Sequence, residues 1–220
     1  MRAPVVERVV QRDGKDALVW RFASPVRCLA TTVLGGGLGE RSWIVNAEVP
    51  LDYAGDDPGA HAASIADGLG LRGAGVGFLT AARVGDLASG AEGGVTCDAT
   101  VGITVPTWAA APDGEWSRWQ PGTINLVCWV PAPLSDAALA NALVTITEAK
   151  TQALLEAGVP GTGTASDAVA ACCPPGDGDR YGGPRSVWGA RLARVVHAAV
   201  AAGTARFLAG GRASVPEDAP

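Results

Sequence analysis

One stretch, residues 123–173, narrows what this chain can become more than any other. It opens with Thr123-Ile124-Asn125-Leu126-Val127-Cys128-Trp129-Val130, whose β-branched and aromatic content predicts a strand. Pro131 and Pro133 break the chain, and Ser135 stands where a helix N-cap belongs. Leu139, Leu143, Ile146, Ala153 and Leu154 then recur at helical spacing to about residue 157. Gly158 ends that helix, Gly161-Thr162-Gly163-Thr164 makes a tight loop, and residues 167–173 are small and apolar after Asp167. They read as a central strand. Two strands around a long helix require a layered framework in which each element covers a neighbour's apolar face.

The flanking sequence supplies more of both kinds. Strands are predicted at 5–10, 17–22, 26–33, 43–49, 76–79 and 94–105, with Asp13-Gly14 as a hairpin turn between the first two. Over 94–105, Val95, Cys97, Ala99, Val101 and Ile103 alternate with Thr96, Asp98, Thr100, Gly102 and Thr104, which gives one core face and one polar face facing solvent or a site. Asp57-Pro58 opens a helix, with the carboxylate as cap and proline in its first turn, and a last helix runs from 186 to about 202. Leu34-Gly35-Gly36-Gly37-Leu38-Gly39 is too glycine-rich for an element interior and reads as a turn, or as backbone approaching a ligand. Strands clustered early and long helices late predict an α+β (or α/β) fold: one layered domain, 1–220, with a mixed or antiparallel sheet packed by helices and a frayed tail at 210–220. Trp108, Trp116 and Trp119 fall in a loop at 107–121, where they suit local packing, a subunit contact or a large flat ligand.

Charge and cysteine content exclude several functions. A net charge of -5 with scattered Arg and Lys lacks the basic footprint of a nucleic-acid binder. The apolar run 192–202 is broken by Arg194 and His197, which argues against a membrane span, and in Met1-Arg2-Ala3-Pro4-Val5-Val6-Glu7 a charge comes too early for a signal-peptide core. The chain is therefore expected to be cytoplasmic, with homo-oligomerisation left open. Cys28, Cys97, Cys128, Cys172 and Cys173 include no C-x-x-C pair, so no disulfide framework or zinc knuckle is expected. With two histidines, His61 and His197, a His-rich catalytic zinc site is disfavoured; His61 is expected to be exposed in its helix's first turns, and His197 at the surface or rim.

Lys150 is one of two lysines and falls on the apolar stripe of its helix, four residues from both Ile146 and Leu154. Such a lysine must snorkel, pair, or lower its pKa. Asn141, Thr145, Glu148 and Gln152 form a separate polar stripe. The loop 161–164 resembles an anion cradle but lacks the G-K-[ST] ending of a P-loop, which disfavours a nucleoside triphosphatase. Asp167, at the mouth of a strand beside a glycine loop, is a common catalytic position in α/β architectures.

Seven short motifs carry a resemblance. In order, Gly35-Gly36-Gly37, Asn46, Gly77-Phe78-Leu79-Thr80-Ala81-Ala82, Gly122-Thr123-Ile124-Asn125, Thr147-Glu148-Ala149-Lys150-Thr151, Gly161-Thr162-Gly163-Thr164-Ala165-Ser166-Asp167-Ala168 and Gly182-Gly183-Pro184 resemble the adenosylcobinamide amidohydrolase family over residues 30–202. Ser166 departs from the threonine expected there but keeps the hydroxyl. The resemblance implies hydrolysis of the amide joining aminopropanol to the corrin ring, which releases adenosylcobyric acid for cobalamin synthesis. It implies a corrinoid as substrate, no required cofactor, and neither nucleic acid nor membrane as partner.

Amide hydrolysis needs an attacking oxygen, donors for the developing oxyanion and an acid for the leaving amine. The candidates for catalysis are Glu148, Lys150, Asp167 and Thr164, with either carboxylate as base and water or a threonine hydroxyl as attacker. Asn46, Thr80, Thr123, Asn125, Gly161, Thr162 and Gly163 are the candidate substrate-binding residues, with Asn46, Asn125 and the 161–164 amides as oxyanion donors. The Gly122-Thr123 junction also invites comparison with self-cleaving threonine hydrolases. Two other readings remain: another threonine- or water-dependent amidase, and a corrinoid-binding protein without catalysis.

Overall fold

The computed structural model describes residues 3–112 and 122–210. Trp116, Trp119 and the tail beyond 210 lie outside the described residues. Eight strands form one mixed sheet: β1 (Val6–Val10), β2 (Asp16–Ala30), β3 (Gly37–Glu48), β4 (Gly75–Thr80), β5 (Ala88–Glu92), β6 (Val95–Gly102), β7 (Thr123–Trp129) and β8 (Ala168–Cys173). The order is β4-β3-β2-β8-β7-β6-β5, with β1 beside the first half of β2. Among the described residues three α-helices pack on it, α1 (Pro58–Gly68), α2 (Asp136–Glu156) and α3 (Val187–Ala209). The architecture is α+β.

Most neighbours run antiparallel, but β3 with β4 and β7 with β8 are parallel. Each parallel pair is joined through a helix, α1 in the first and α2 in the second, as a parallel connection requires. The helices begin where side-chain caps allow. Asp57 Oδ1 accepts from Ala60 N at 2.8 Å, Ser135 Oγ from Ala138 N at 3.2 Å, and Ser186 Oγ from Gly189 N at 3.0 Å.

The sheet folds over on itself. Its outer surface is covered by α2 and α3, which bury Leu139, Ile146, Leu154 and Leu192 against Val95, Cys97, Leu126 and Cys128. Full burial of each such leucine or isoleucine is worth about 1.5–3 kcal/mol. At the other end α1 packs Ala66 near Val45 and Ala47 and buries Ala62 near Gly77. The inner surface closes on Trp20, Phe78, Trp129, Ile44 and Cys172. The polar face of β6 therefore meets the opposite half of the same sheet rather than solvent. Thr100 accepts from Asn46 Nδ2 at 2.9 Å, and Asp98 accepts from Trp20 Nε1 at 2.8 Å.

Several elements differ from the sequence expectation. The runs 17–22 and 26–33 are one strand, β2, whose register against β3 shifts between Arg21 and Val26. Pro25 is tolerated at that irregularity, where a ladder hydrogen bond is not required. Gly37 and Gly39 lie in β3, paired with Ala30 and Cys28. β5 was not anticipated; it pairs with β6 across the Gly93-Gly94 turn, both glycines at positive φ. By length and composition α3 could cross a membrane, but Val195, Val196, Ala199 and Val200 are buried against the sheet.

Candidate functional site

β7 and β8 run parallel, so their first residues lie side by side, with Asn125 opposite Ala168. The glycine loop from α2 enters at that edge, and Asp167 is the post to which the edge is tied. Its Oδ1 accepts from Ile124 N at 2.9 Å and lies 2.5 Å from Thr164 Oγ1. Its Oδ2 accepts from Thr164 N at 3.2 Å and from Lys150 Nζ. Lys150 thus pairs rather than snorkels, and it is 7% exposed. Gly163 lies over this pair: a Cβ there would fall 2.5 Å from Nζ and closer still to Oδ2.

The anion cradle read from the glycine loop is real in form but holds the chain's own carboxylate. Thr164 N binds Asp167. Gly161 N goes to Val159 O at 2.9 Å and Thr162 N to Thr107 O at 2.9 Å. Those two amides are satisfied within the backbone and have no hydrogen to offer an external anion.

Next to this edge a cavity of about 340 Å³ opens between the two halves of the folded sheet. Its exposed rim includes Thr31, Val33, Pro50 and Ser166; its inner end is formed by Phe78, Thr80, Thr123 and Asn125. The Thr123 hydroxyl is 2.8 Å from Ser166 O and 3.2 Å from Asn125 Oδ1, so its proton has two acceptors in reach. Ser166 Oγ donates to Gly122 O at 2.9 Å. The oxygen of Thr80 accepts from Ala82 N at 3.0 Å, which leaves its own proton for a partner inside the cavity.

The sequence candidates divide accordingly. Asp167, Thr80, Thr123 and Asn125 line the cavity. Lys150 and Thr164 stand behind Asp167, Thr164 Oγ1 also lying 2.8 Å from Gly122 O. Asn46 is buried behind Asn125: Asn125 Nδ2 donates to Asn46 Oδ1 at 3.0 Å and to Leu79 O at 3.2 Å. Both hydrogens of Asn125 are thereby engaged, which removes it as an oxyanion donor. Gly161, Thr162 and Gly163 are not among the residues lining the cavity.

Glu148 is not brought to this cluster. It is exposed, in a shallow groove on the outer face of α2 with Val144, Thr151 and Leu155. Two helical positions from Lys150 amount to roughly 200° around the axis, so the two side chains cannot share a site. His197, on α3, bonds Glu156 at 2.7 Å. Among the described residues, no group of three His, Cys, Asp or Glu side chains could hold a metal ion.

Sequence reasoning passed over one wall of the cavity. Tyr53, from the loop after β3, lines it, and Tyr53 Oη lies 3.0 Å from His61 Nδ1 on α1. The rings stack with centroids 5.2 Å apart. His61 is half-buried rather than exposed. Burial, and then the charge of Asp57, push the Tyr53 phenol above its ordinary pKa. The available signal was a tyrosine eight residues before a first-turn histidine, which no periodicity picks out.

The sequence model of the adenosylcobinamide amidohydrolase family matches residues 2–209. A protein of Halobacterium salinarum named adenosylcobinamide amidohydrolase is 38% identical over 122 residues, 55% of this chain and 51% of that protein. One of the same name from Methanosarcina mazei is 33% identical over 139 residues, 63% of this chain and 66% of that protein. The matched region thus spans about half the length of the first relative and 66% of the second. Among solved structures, a Pyrococcus horikoshii protein aligns over 97% of this chain and 82% of its own, with 14% identity and a TM-score of 0.47, too distant to carry an argument.

Proposed function

The chain belongs to the adenosylcobinamide amidohydrolase family, and from that membership we propose that it hydrolyses the amide joining aminopropanol to the corrin ring of adenosylcobinamide. The products are aminopropanol and adenosylcobyric acid, which places the reaction in corrinoid salvage toward cobalamin. The family match across residues 2–209 is the observation that carries the substrate. The cavity supports the chemistry.

A volume of about 340 Å³ lies at the small end of the ligand-site range. It suits one amide arm of the substrate, while the macrocycle rests outside on the rim around Val33 and Pro50. At the inner end the scissile carbonyl meets two hydroxyls. Thr123 Oγ1, or a water that it holds, attacks the carbonyl carbon, and Thr80 donates to the developing oxyanion. The carboxylate of Asp167 holds the amide of Ile124 and the loop at Thr164, fixing the entrance of β7 on which Thr123 sits. Lys150 pairs with that carboxylate where both side chains are largely buried. Neither Lys150 nor Thr164 touches the substrate in this reading; both position Asp167. Among the described lining residues none is basic, which fits an arm without the nucleotide phosphate.

The test is incubation with adenosylcobinamide, following aminopropanol and adenosylcobyric acid by mass spectrometry together with the mass of the quenched protein. Both products should appear. A transient mass increase equal to the corrinoid acyl group, located at Thr123 by peptide mapping, would identify that hydroxyl as attacker, whereas attack by water forms no such adduct. A corrinoid bound tightly but unchanged would overturn the amidase in favour of a binding protein.

A further inference from the structure

The site described so far has no group free to move a proton. Asp167 and Tyr53 are the two titratable side chains among the described residues lining the cavity. Each oxygen of Asp167 already has two donors in reach, one of them the Lys150 ammonium. To accept a proton it would have to release the contacts that hold the β7 entrance. Lys150 is tied to Asp167 and does not line the cavity. Hydrolysis of an unactivated amide nevertheless needs a proton taken from the attacking oxygen and one given to the leaving nitrogen.

Resting on the amidase reading, we propose that Tyr53 is a catalytic residue and that Tyr53 and His61 form the proton-transfer pair of this site. Tyr53 lines the same cavity as Thr123 and Ser166 and is supplied by the segment after β3. Its oxygen is within hydrogen-bond distance of His61 Nδ1, and the stacked rings hold the two atoms in register. Gly55 lies so close over the phenol oxygen that a Cβ would collide with it, which fixes the ring further. Behind the pair, the far side of His61 faces a second cavity of about 180 Å³ bordered by Gln11, Arg12, Asp13 and Ser64. His61 thus links Tyr53, which lines the reaction cavity, to another opening.

The steps balance with one shuttled proton. As the attacking oxygen bonds to the carbonyl carbon, its proton passes to Tyr53 Oη while the phenol proton passes to His61 Nδ1. When the tetrahedral intermediate collapses and the C–N bond breaks, both movements reverse, and the nitrogen leaves as a neutral amine. Tyr53 touches the reacting atoms; His61 acts through it.

The deciding experiment compares wild type, Tyr53→Phe and His61→Ala on adenosylcobinamide and on its ester analogue, in which oxygen replaces the scissile nitrogen. An alkoxide leaves with far less help from an acid than an amide nitrogen does. Tyr53→Phe should lose about 100-fold or more in kcat on the amide and a clearly smaller factor on the ester, whose attack still needs the base but whose leaving group does not need the acid. His61→Ala should lose activity and regain part of it with added imidazole, which can enter the second cavity. Equal losses on amide and ester, or a Tyr53→Phe variant within about threefold of wild type, would overturn the proposal. Wild-type protein that forms no product would overturn the amidase reading, and the pair's role with it.

Discussion

Replacing Lys150 by Met tests the ion pair that anchors the site. The substitution keeps the length and apolar stem of the side chain but removes the ammonium that lies on Asp167. The two side chains are 9% and 12% exposed, so water solvates the carboxylate left behind only in part. Removing one partner of a buried pair costs about 3–5 kcal/mol. Here Ile124 N, Thr164 N and the Thr164 hydroxyl remain as donors, which puts the expected loss at the low end, about 3 kcal/mol. For a chain of this length that is a fall in Tm of about 6–12 °C. Urea unfolding at neutral pH measures it directly. The double variant Lys150→Met, Asp167→Asn should recover part of the loss, because a neutral amide still accepts from Ile124 N and leaves no buried charge. A single variant within about 1 kcal/mol of wild type would place the pair among screened surface contacts. The assignment of Lys150 as a positioning residue would then fail.

Other outcomes follow from the same geometry. Glu148→Gln should leave turnover within about twofold of wild type, because Glu148 faces solvent on α2; a tenfold loss of kcat would contradict its placement away from the cavity. Asn46→Ala strips a partner from both Asn125 and Thr100 in the closed interior. It should cost about 2–3 kcal/mol in chemical denaturation, and a neutral result would mean that water replaces the amide. All five cysteines are buried. The Cys128 and Cys172 thiols are pushed well up, first by hydrogen bonding with Cys97 and Cys28 and then by burial. An aromatic disulfide reagent should therefore label none in the native protein and five after unfolding; rapid native labelling of any would refute the packing of the strand that carries it.

Much of the fold was legible because its signals are local. The caps at Asp57 and Ser135 and the hairpin at Asp13-Gly14 depend on neighbours a few residues away. The failures share a different cause. Alternation in β6 identified a polar face but could not say what covers it, and the answer is Asn46 and Trp20 from the other half of a folded sheet. Gly37 and Gly39 look like loop residues until β2 supplies their partners. In the site, the pairing of Lys150 was among the options its stripe position left open, and Asp167 was singled out at the mouth of β8. Glu148 had been placed on another stripe of the same helix, and angular position, applied strictly, would have separated it from Lys150. Tyr53 and His61 meet through tertiary packing of a loop on a helix, which no local pattern records.

The location of the cavity follows from the two parallel pairs in an otherwise antiparallel sheet. Ligands in open α/β sheets usually gather at the carboxyl ends of strands, where chain crossovers leave a crevice. Asp167 stands instead at the amino end of β8, beside the amino end of β7. The carboxyl ends come from the other pair: Val49 and Pro50 after β3, and Thr80 and Ala81 at the end of β4. Folding the sheet brings the carboxyl ends of one strand-helix-strand unit over the amino ends of the other. The first unit contributes Thr80 and the Tyr53–His61 wall, and the second contributes Thr123, Ser166 and the anchored carboxylate. Neither unit alone encloses a cavity or carries both a hydroxyl pair and a proton-transfer pair. The Asn46–Asn125 hydrogen bond joins β3 of one unit to β7 of the other directly behind the cavity. That contact sets the distance between the two walls, so Asn46→Ala should raise KM for the amide arm as well as lowering stability. Loss of stability with KM unchanged would mean that the walls are held by other contacts.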